Sequence, residues 1–212
     1  MRARAILAAL LFATAPGPGA AGQPDRFAAA LDLARAGQGA AAAAMFLQLA
    51  QAGDTAAQVN LAVLQARGLG VPQDEAGAAY WAWRARLSGE HRAAALGDHL
   101  MTRLTDDARA ALAERLMQDL TARAETGDAQ ALLGLGRVET EIRAPARPQE
   151  AALWFTLAAA FEVRHALALR EVTMRGLAPE ERLAVQARAG AEFARWCGLV
   201  PAAARPRSCP RD

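Results

Sequence analysis

One apolar pattern occurs twice in this chain, and the second copy trails the first by 74 and then 73 residues. With Gly53-Asp54 set on Gly127-Asp128, Ala57 falls on Ala131, Leu61 on Leu135 and Ala62 on Gly136. A one-residue deletion in the following loop changes the shift to 73, so that Ala78 meets Ala151, Trp81 meets Trp154 and Ala85 meets Ala158. The register continues through Leu96/Leu169, Met101/Met174, Leu104/Leu177, Arg109/Arg182 and Arg115/Arg188. Self-similarity of this kind marks repeat architectures, in which each unit buries its apolar face against the next. The chain reads as two copies of a four-helix unit, residues 53–126 and 127–197, preceded by a partial repeat over 25–52 and followed by a Pro/Arg-rich tail over 198–212.

The segments between breaks read as helices. Val, Ile and Thr are scarce and period-2 alternation is absent, whereas Ala, Leu, Arg and Glu, the best helix formers, dominate. Glycine and proline break the chain at 37–39, 53, 68–72, 89, 127, 145–148, 176–179 and 198–201. Gly68 behind the basic Arg67 is a left-handed helix end, and Asp74 before Glu75 is an N-cap. Thr105 with Asp106-Asp107, and Pro179 with Glu180-Glu181, open two further helices.

The run Leu49-Ala50-Gln51-Ala52-Gly53-Asp54-Thr55-Ala56-Ala57-Gln58-Val59-Asn60-Leu61-Ala62, followed by Gly68-Leu69-Gly70-Val71-Pro72-Gln73-Asp74 and then Ala78, Trp81 and Ala85, resembles a Sel-one-like repeat, a branch of the tetratricopeptide superfamily. Residues 124–160 are a degenerate second match, with Ala144-Pro145-Ala146-Arg147-Pro148 where the glycine turn would be. Residues 30–52 resemble the second helix of a preceding partial repeat, with Phe46 at the large-residue position. The resemblance implies an all-α fold, a right-handed α-solenoid of antiparallel helix pairs. It also implies a regulator or scaffold of the bacterial envelope.

Arg2 and Arg4, an apolar run over 5–15, and small residues at Ala20, Ala21 and Gly22 read as a signal peptide over 1–22, cleaved before Gln23 or within a position or two. A spanning helix needs about 20 apolar residues, and this run is roughly half that before Pro16 and Pro18 interrupt it. The expected location is therefore periplasmic or secreted, with no membrane insertion after cleavage. Loss of Arg2 and Arg4 removes the formal charge of +2, and no basic cluster remains to bind nucleic acid. Cys197 and Cys209 are the two cysteines. In an oxidising compartment such a pair invites a disulfide, worth up to roughly 3 kcal/mol on the chain-entropy model; two unpaired thiols are the alternative.

Trp81 and Trp154 read as core, Trp81 filling the space between one helix pair and the next. Tyr80, Trp83 and Leu87 lie at i, i+3 and i+7 on an offset face, and the counterpart of Trp83 in the second copy is the polar Thr156. Solenoids bind ligands on extended surfaces, and exposed aromatics with arginine are common anchors. Arg67, Tyr80, Trp83 and Arg84 are therefore the candidate protein-binding patch. The alternative packs Trp83 on Phe46 or on the helix over 90–103.

The residues give no catalytic constellation. His91 and His99 would lie about 12 Å apart on one helix, too far to share an ion, and His165 stands alone. Ser88 and Ser208 lie outside any nucleophile elbow. The turn at Gly68-Leu69-Gly70 follows a helix and lacks the strand and lysine of a phosphate loop. The expectation is a non-enzymatic adaptor with no cofactor and no metal, whose partner is another envelope protein. An envelope enzyme or enzyme subunit acting on peptidoglycan or polysaccharide is the alternative, and a purely structural or small-ligand-binding repeat protein is a third reading.

Overall fold

The computed structural model describes residues 23–201 and 205–209, with side chains from Asp25 on. The leader assigned to 1–22 and part of the tail lie outside the described residues. Every regular element among the described residues is helical: α1 (Gln23–Arg35), α2 (Gly39–Gln51), α3 (Thr55–Arg67), α4 (Glu75–Leu87), α5 (Ala93–Met101), α6 (Asp106–Glu125), α7 (Ala129–Arg137) continued by a π turn (Val138–Ile142), α8 (Pro148–Ala160), α9 (Ala166–Arg175) and α10 (Pro179–Leu199). None of these helices is long and apolar enough to cross a membrane. The helices divide into two compact units, the first ending at Thr105 and the second beginning at Asp106.

In the first unit each helix packs on the next in chain order. Asp54 caps α3 by accepting from the Ala57 N–H at 2.9 Å, and Asp74 caps α4 through the Gly77 N–H at 2.8 Å. Gly68 ends α3 in the left-handed region at φ +65°. Gly70, at φ +77°, lets the following turn touch the start of α2: a Cβ there would lie 2.1 Å from the Gly39 carbonyl carbon. This glycine turn is thus a backbone-to-backbone contact. The last turn of α2 is satisfied from outside its own helix, because the Ala50 carbonyl accepts from Gln58 on α3 at 3.1 Å and from Arg84 on α4 at 3.3 Å. Gln58 and Asn60 are buried, and Asn60 donates to the Ala56 carbonyl at 2.9 Å.

In the second unit α8 packs on α7, the π turn, α9 and α10, while α6 packs on α7 and the π turn. By sequence α6 closes the first four-helix set, yet its contacts group it with α7, so the compact units and the internal repeat divide the chain at different points. Two side chains of α10 hold the N-terminal end of α8: Arg188 grips Glu150 through both nitrogens at 2.7 and 2.9 Å, and Glu181 accepts from Gln149 at 2.7 Å. The Arg188 guanidinium beside Glu150 holds that carboxyl below the usual range. Cys197 near the end of α10 is bonded to Cys209, and both are buried. Phe161 lies 4.3 Å from the Trp196 ring and stacks on Phe193 at 5.1 Å.

The expectation that both repeat tryptophans are core is corrected for one of them. Trp81 is buried, but Trp154 is half-buried, and its neighbour Phe155 takes the interior at 1% exposure. The reason lies at Gly136, where a Cβ would come within 2.4 Å of Phe155 Cε1. The first copy has Ala62 and Ala82 at these two positions, both buried. The second copy shrinks one to glycine and enlarges the other to phenylalanine. Gly136→Ala is therefore expected to lose about 1–3 kcal/mol by overpacking, partly offset by the better helix propensity of alanine, read as a lower urea midpoint at unchanged slope.

Candidate functional site

The expected patch of Arg67, Tyr80, Trp83 and Arg84 is not an exposed aromatic surface. Tyr80 is 7% and Trp83 2% exposed, Arg84 is half-buried, and only Arg67, in the last turn of α3, is exposed. The Trp83 indole lies over Gly97 of α5, whose added Cβ would meet Nε1 at 3.4 Å. Arg86 stacks on the other part of this arrangement with its guanidinium 4.3 Å from the Trp83 ring centre, and it is held there by an ion pair to Asp98. Tyr80 meets the Trp81 ring edge-on at 4.9 Å, and Arg84 lies 5.4 Å over that same ring. These side chains stitch α4 to its neighbours. The indole packs against the Gly97 face of α5, where even a Cβ would stand at ordinary contact distance, so the large residue without an apolar counterpart is interior.

The counterparts of Trp83, Gly97 and Asp98, 73 positions on, line a cavity instead. It has a volume of about 430 Å³ and is formed by Thr156 on α8, Arg170, Met174 and Arg175 on α9, and Arg182 and Gln186 on α10. Glu171 completes the lining. Thr156 stands where the first copy has Trp83, Arg170 where it has Gly97, and Gln186 where it has the buried Ala113. Replacing the indole with a threonine empties the space, and an arginine in place of glycine lines it with charge. The Trp83/Thr156 mismatch is legible in the sequence. The signal for the site was the threonine.

The lining carries three arginines against one glutamate. Arg170 donates to Glu171 beside it, and Arg182 donates to the Leu177 carbonyl at 2.9 Å, which fixes one edge of its guanidinium. Arg175 has no hydrogen bond or ion pair among the described residues. The Thr156 hydroxyl donates to the Ala152 carbonyl at 2.7 Å, leaving its oxygen lone pairs toward other donors. The volume falls in the range of small-molecule sites, about 300–1,000 Å³.

A second cluster lies in the same unit, at the π turn. Glu139 is 3% exposed, lies 2.8 Å from Arg143, and Arg143 in turn lies 2.8 Å from Glu114 of α6. Burial pushes the Glu139 carboxyl above its ordinary range, against the pull of Arg143 and Arg147. The folded state thus binds this proton more tightly than the unfolded chain does. The group favours folding below the ordinary value of 4.5, and that contribution is lost as pH rises through 4.5 toward the elevated folded value. Because Arg143 keeps its ion pair to the exposed Glu114, Glu139→Gln leaves no charge unpaired and is expected to change stability by no more than about 1 kcal/mol at pH 7. Wild type should gain on the variant as pH falls toward 4.5, in unfolding curves taken at several pH values.

Among the described residues no group of three or more His, Cys, Asp or Glu could hold a metal ion. Comparison with protein-family models, with curated proteins and with solved structures finds no match to this chain.

Proposed function

We propose that the protein is an exported helical-repeat adaptor that binds another protein of the bacterial envelope, and that its helices form a right-handed solenoid of antiparallel pairs of the Sel-one-like kind. One observation carries the reading. Helices begin at Thr55, Glu75, Ala93 and Asp106, and again at Ala129, Pro148, Ala166 and Pro179, each 73 or 74 residues further on. A single compact enzyme core has no reason to keep two helix sets in step, whereas stacked repeats do, because each must offer the next the same apolar face. The bond between Cys197 and Cys209 supports the exported part of the reading, since disulfides persist in oxidising compartments.

Cell fractionation followed by N-terminal sequencing and cross-linking in intact cells tests both parts. The expected result is a periplasmic chain beginning at Gln23 or within two positions of it, cross-linked to one dominant envelope protein. A cytoplasmic chain that retains Arg2, or a cross-linking pattern no different from that of an unrelated periplasmic protein, would overturn the proposal.

A further inference from the structure

The cavity between α8, α9 and α10 has the chemistry of an anion site, and its origin can be traced residue by residue. In the first copy the equivalent space is closed. Trp83 fills it, the ring lies against Gly97, and Arg86 covers the indole while paired to Asp98. In the second copy Arg86 is replaced by Ala159 on α8, and the arginine appears on α9 as Arg170, beside Glu171 at the position of Asp98. Thr102 is replaced by Arg175 and the buried Ala113 by Gln186, so apolar or small positions have become donors. Arg182 is retained from Arg109 and is braced on the Leu177 carbonyl. A merely eroded repeat would lose the ring and collapse or fill with aliphatic side chains. Here five of the lining positions are substituted, and the arginines gathered at this space rise from two, Arg86 and Arg109, to three.

We propose that this cavity binds the carboxylate end of an organic monoanion, with Arg175 and Arg182 on the carboxylate and Met174 under the adjoining apolar part. Guanidinium matches a planar carboxylate through paired N–H donors. Arg170 is largely committed to Glu171, which leaves Arg175 as the open charge and Arg182 as the positioned one. The Glu171 carboxylate in the same lining disfavours a dianion such as phosphate more than a monoanion. Met174 supplies a polarisable apolar surface that suits an aliphatic chain. The carboxylate can belong to a free short-chain acid or to the C-terminus of a peptide.

The inference stands apart from the adaptor reading, because a failed cross-linking experiment leaves it untouched and the reverse also holds. Calorimetric titration of the mature full-length chain would use butyrate, N-acetyl-Ala-Ala with a free carboxylate, the amides of both, and inorganic phosphate, all at matched ionic strength. The expected result is that at least one acid binds and its amide binds at least tenfold more weakly. Preference for the peptide acid over butyrate identifies a chain terminus as the source, and equal binding identifies the small acid. Arg175→Ala should weaken the acid at least tenfold with unchanged circular dichroism. Thr156→Trp combined with Arg170→Gly, which installs the first copy's pair, should abolish binding. Absence of binding by both acids, equal binding of acid and amide, tighter binding of phosphate than of either acid, or full binding by Arg175→Ala would each overturn the proposal.

Discussion

Trp83→Thr should destabilise the first unit by about 3–5 kcal/mol, the range for removing a large buried aromatic. The substitution places in the first copy the residue that the second copy already has, so the difference in outcome is informative. Trp83 is 2% exposed and lies on Gly97, a residue with no side chain to follow the retreating ring. Thr156 coexists with Arg170, whose side chain lines the equivalent space. Arg86 would also lose its aromatic partner while its ion pair to Asp98 stays, a loss of roughly 0.5–2 kcal/mol already contained in the total. Against a typical total stability of about 5–15 kcal/mol, this is enough to unfold a large fraction of molecules on mild heating. Thermal or urea unfolding followed by circular dichroism reads the effect, and Trp154→Thr, at a half-buried position, should cost clearly less. Equal losses from the two substitutions would refute the assignment of Trp83 as interior.

The sequence carried the helix positions well because the signals that end and start helices are local. Gly68 and Asp74 terminate and cap where their chemistry predicts, and Pro179 stands at the first position of α10. The grouping of those helices was less legible. The repeat boundary near residue 126 assigns α6 to the first set, but whether α6 packs forward onto α7 or backward depends on contacts that no local signal encodes. Arg143 illustrates the same limit. It lies just before the turn over 144–148 with no local signal of a partner, yet it pairs with both Glu139 and Glu114, the latter on a helix about 30 residues away in sequence.

For a related reason the sequence leaves open whether Trp83 is exposed or packed on the helix over 90–103, and the structure has it packed there. A helical wheel fixes which residues share a face, and it placed Tyr80, Trp83 and Leu87 together correctly, but it cannot say whether another helix covers that face. In α4 every position from Gly77 to Trp83 is buried, so no side of this stretch is left for solvent. A helix that is apolar all round is interior. Ala78, Ala79, Ala82 and Ala85 made that readable in principle, since alanine on all faces lets neighbours approach from several directions. The cavity was readable only by asking what its counterpart lacks, as a void leaves no mark at the positions that line it until they are compared with a filled copy.

Arg143→Ala is the second large effect, expected at about 3 kcal/mol or more near neutral pH, because truncating one member of a buried pair leaves the other charge uncompensated. Glu139 sits at 3% exposure inside the π turn, and its remaining cationic neighbour, Arg147, acts over a distance without an ion pair to it among the described residues. Burial already pushes the Glu139 carboxyl upward, and removal of Arg143 takes away the strongest opposing influence, so its proton should be held still more tightly. The folded variant can therefore relieve its strain by taking up a proton. The loss relative to wild type should shrink as pH falls from 7 toward 4.5 and grow as pH rises, which is the direction required when the folded state binds the proton more strongly than the unfolded one. Glu139→Gln should restore much of the loss in the double variant, since a neutral amide at that position needs no counter-charge, and the rescue measures the coupling between the two side chains. Glu114 separates this explanation from a simple packing defect. It is 60% exposed, so it can be solvated once Arg143 is gone, and Glu114→Ala alone should cost no more than about 1 kcal/mol. A pH-independent loss in Arg143→Ala, with no rescue by Glu139→Gln, would mean that the arginine stem packs the π turn and that its charge contributes little.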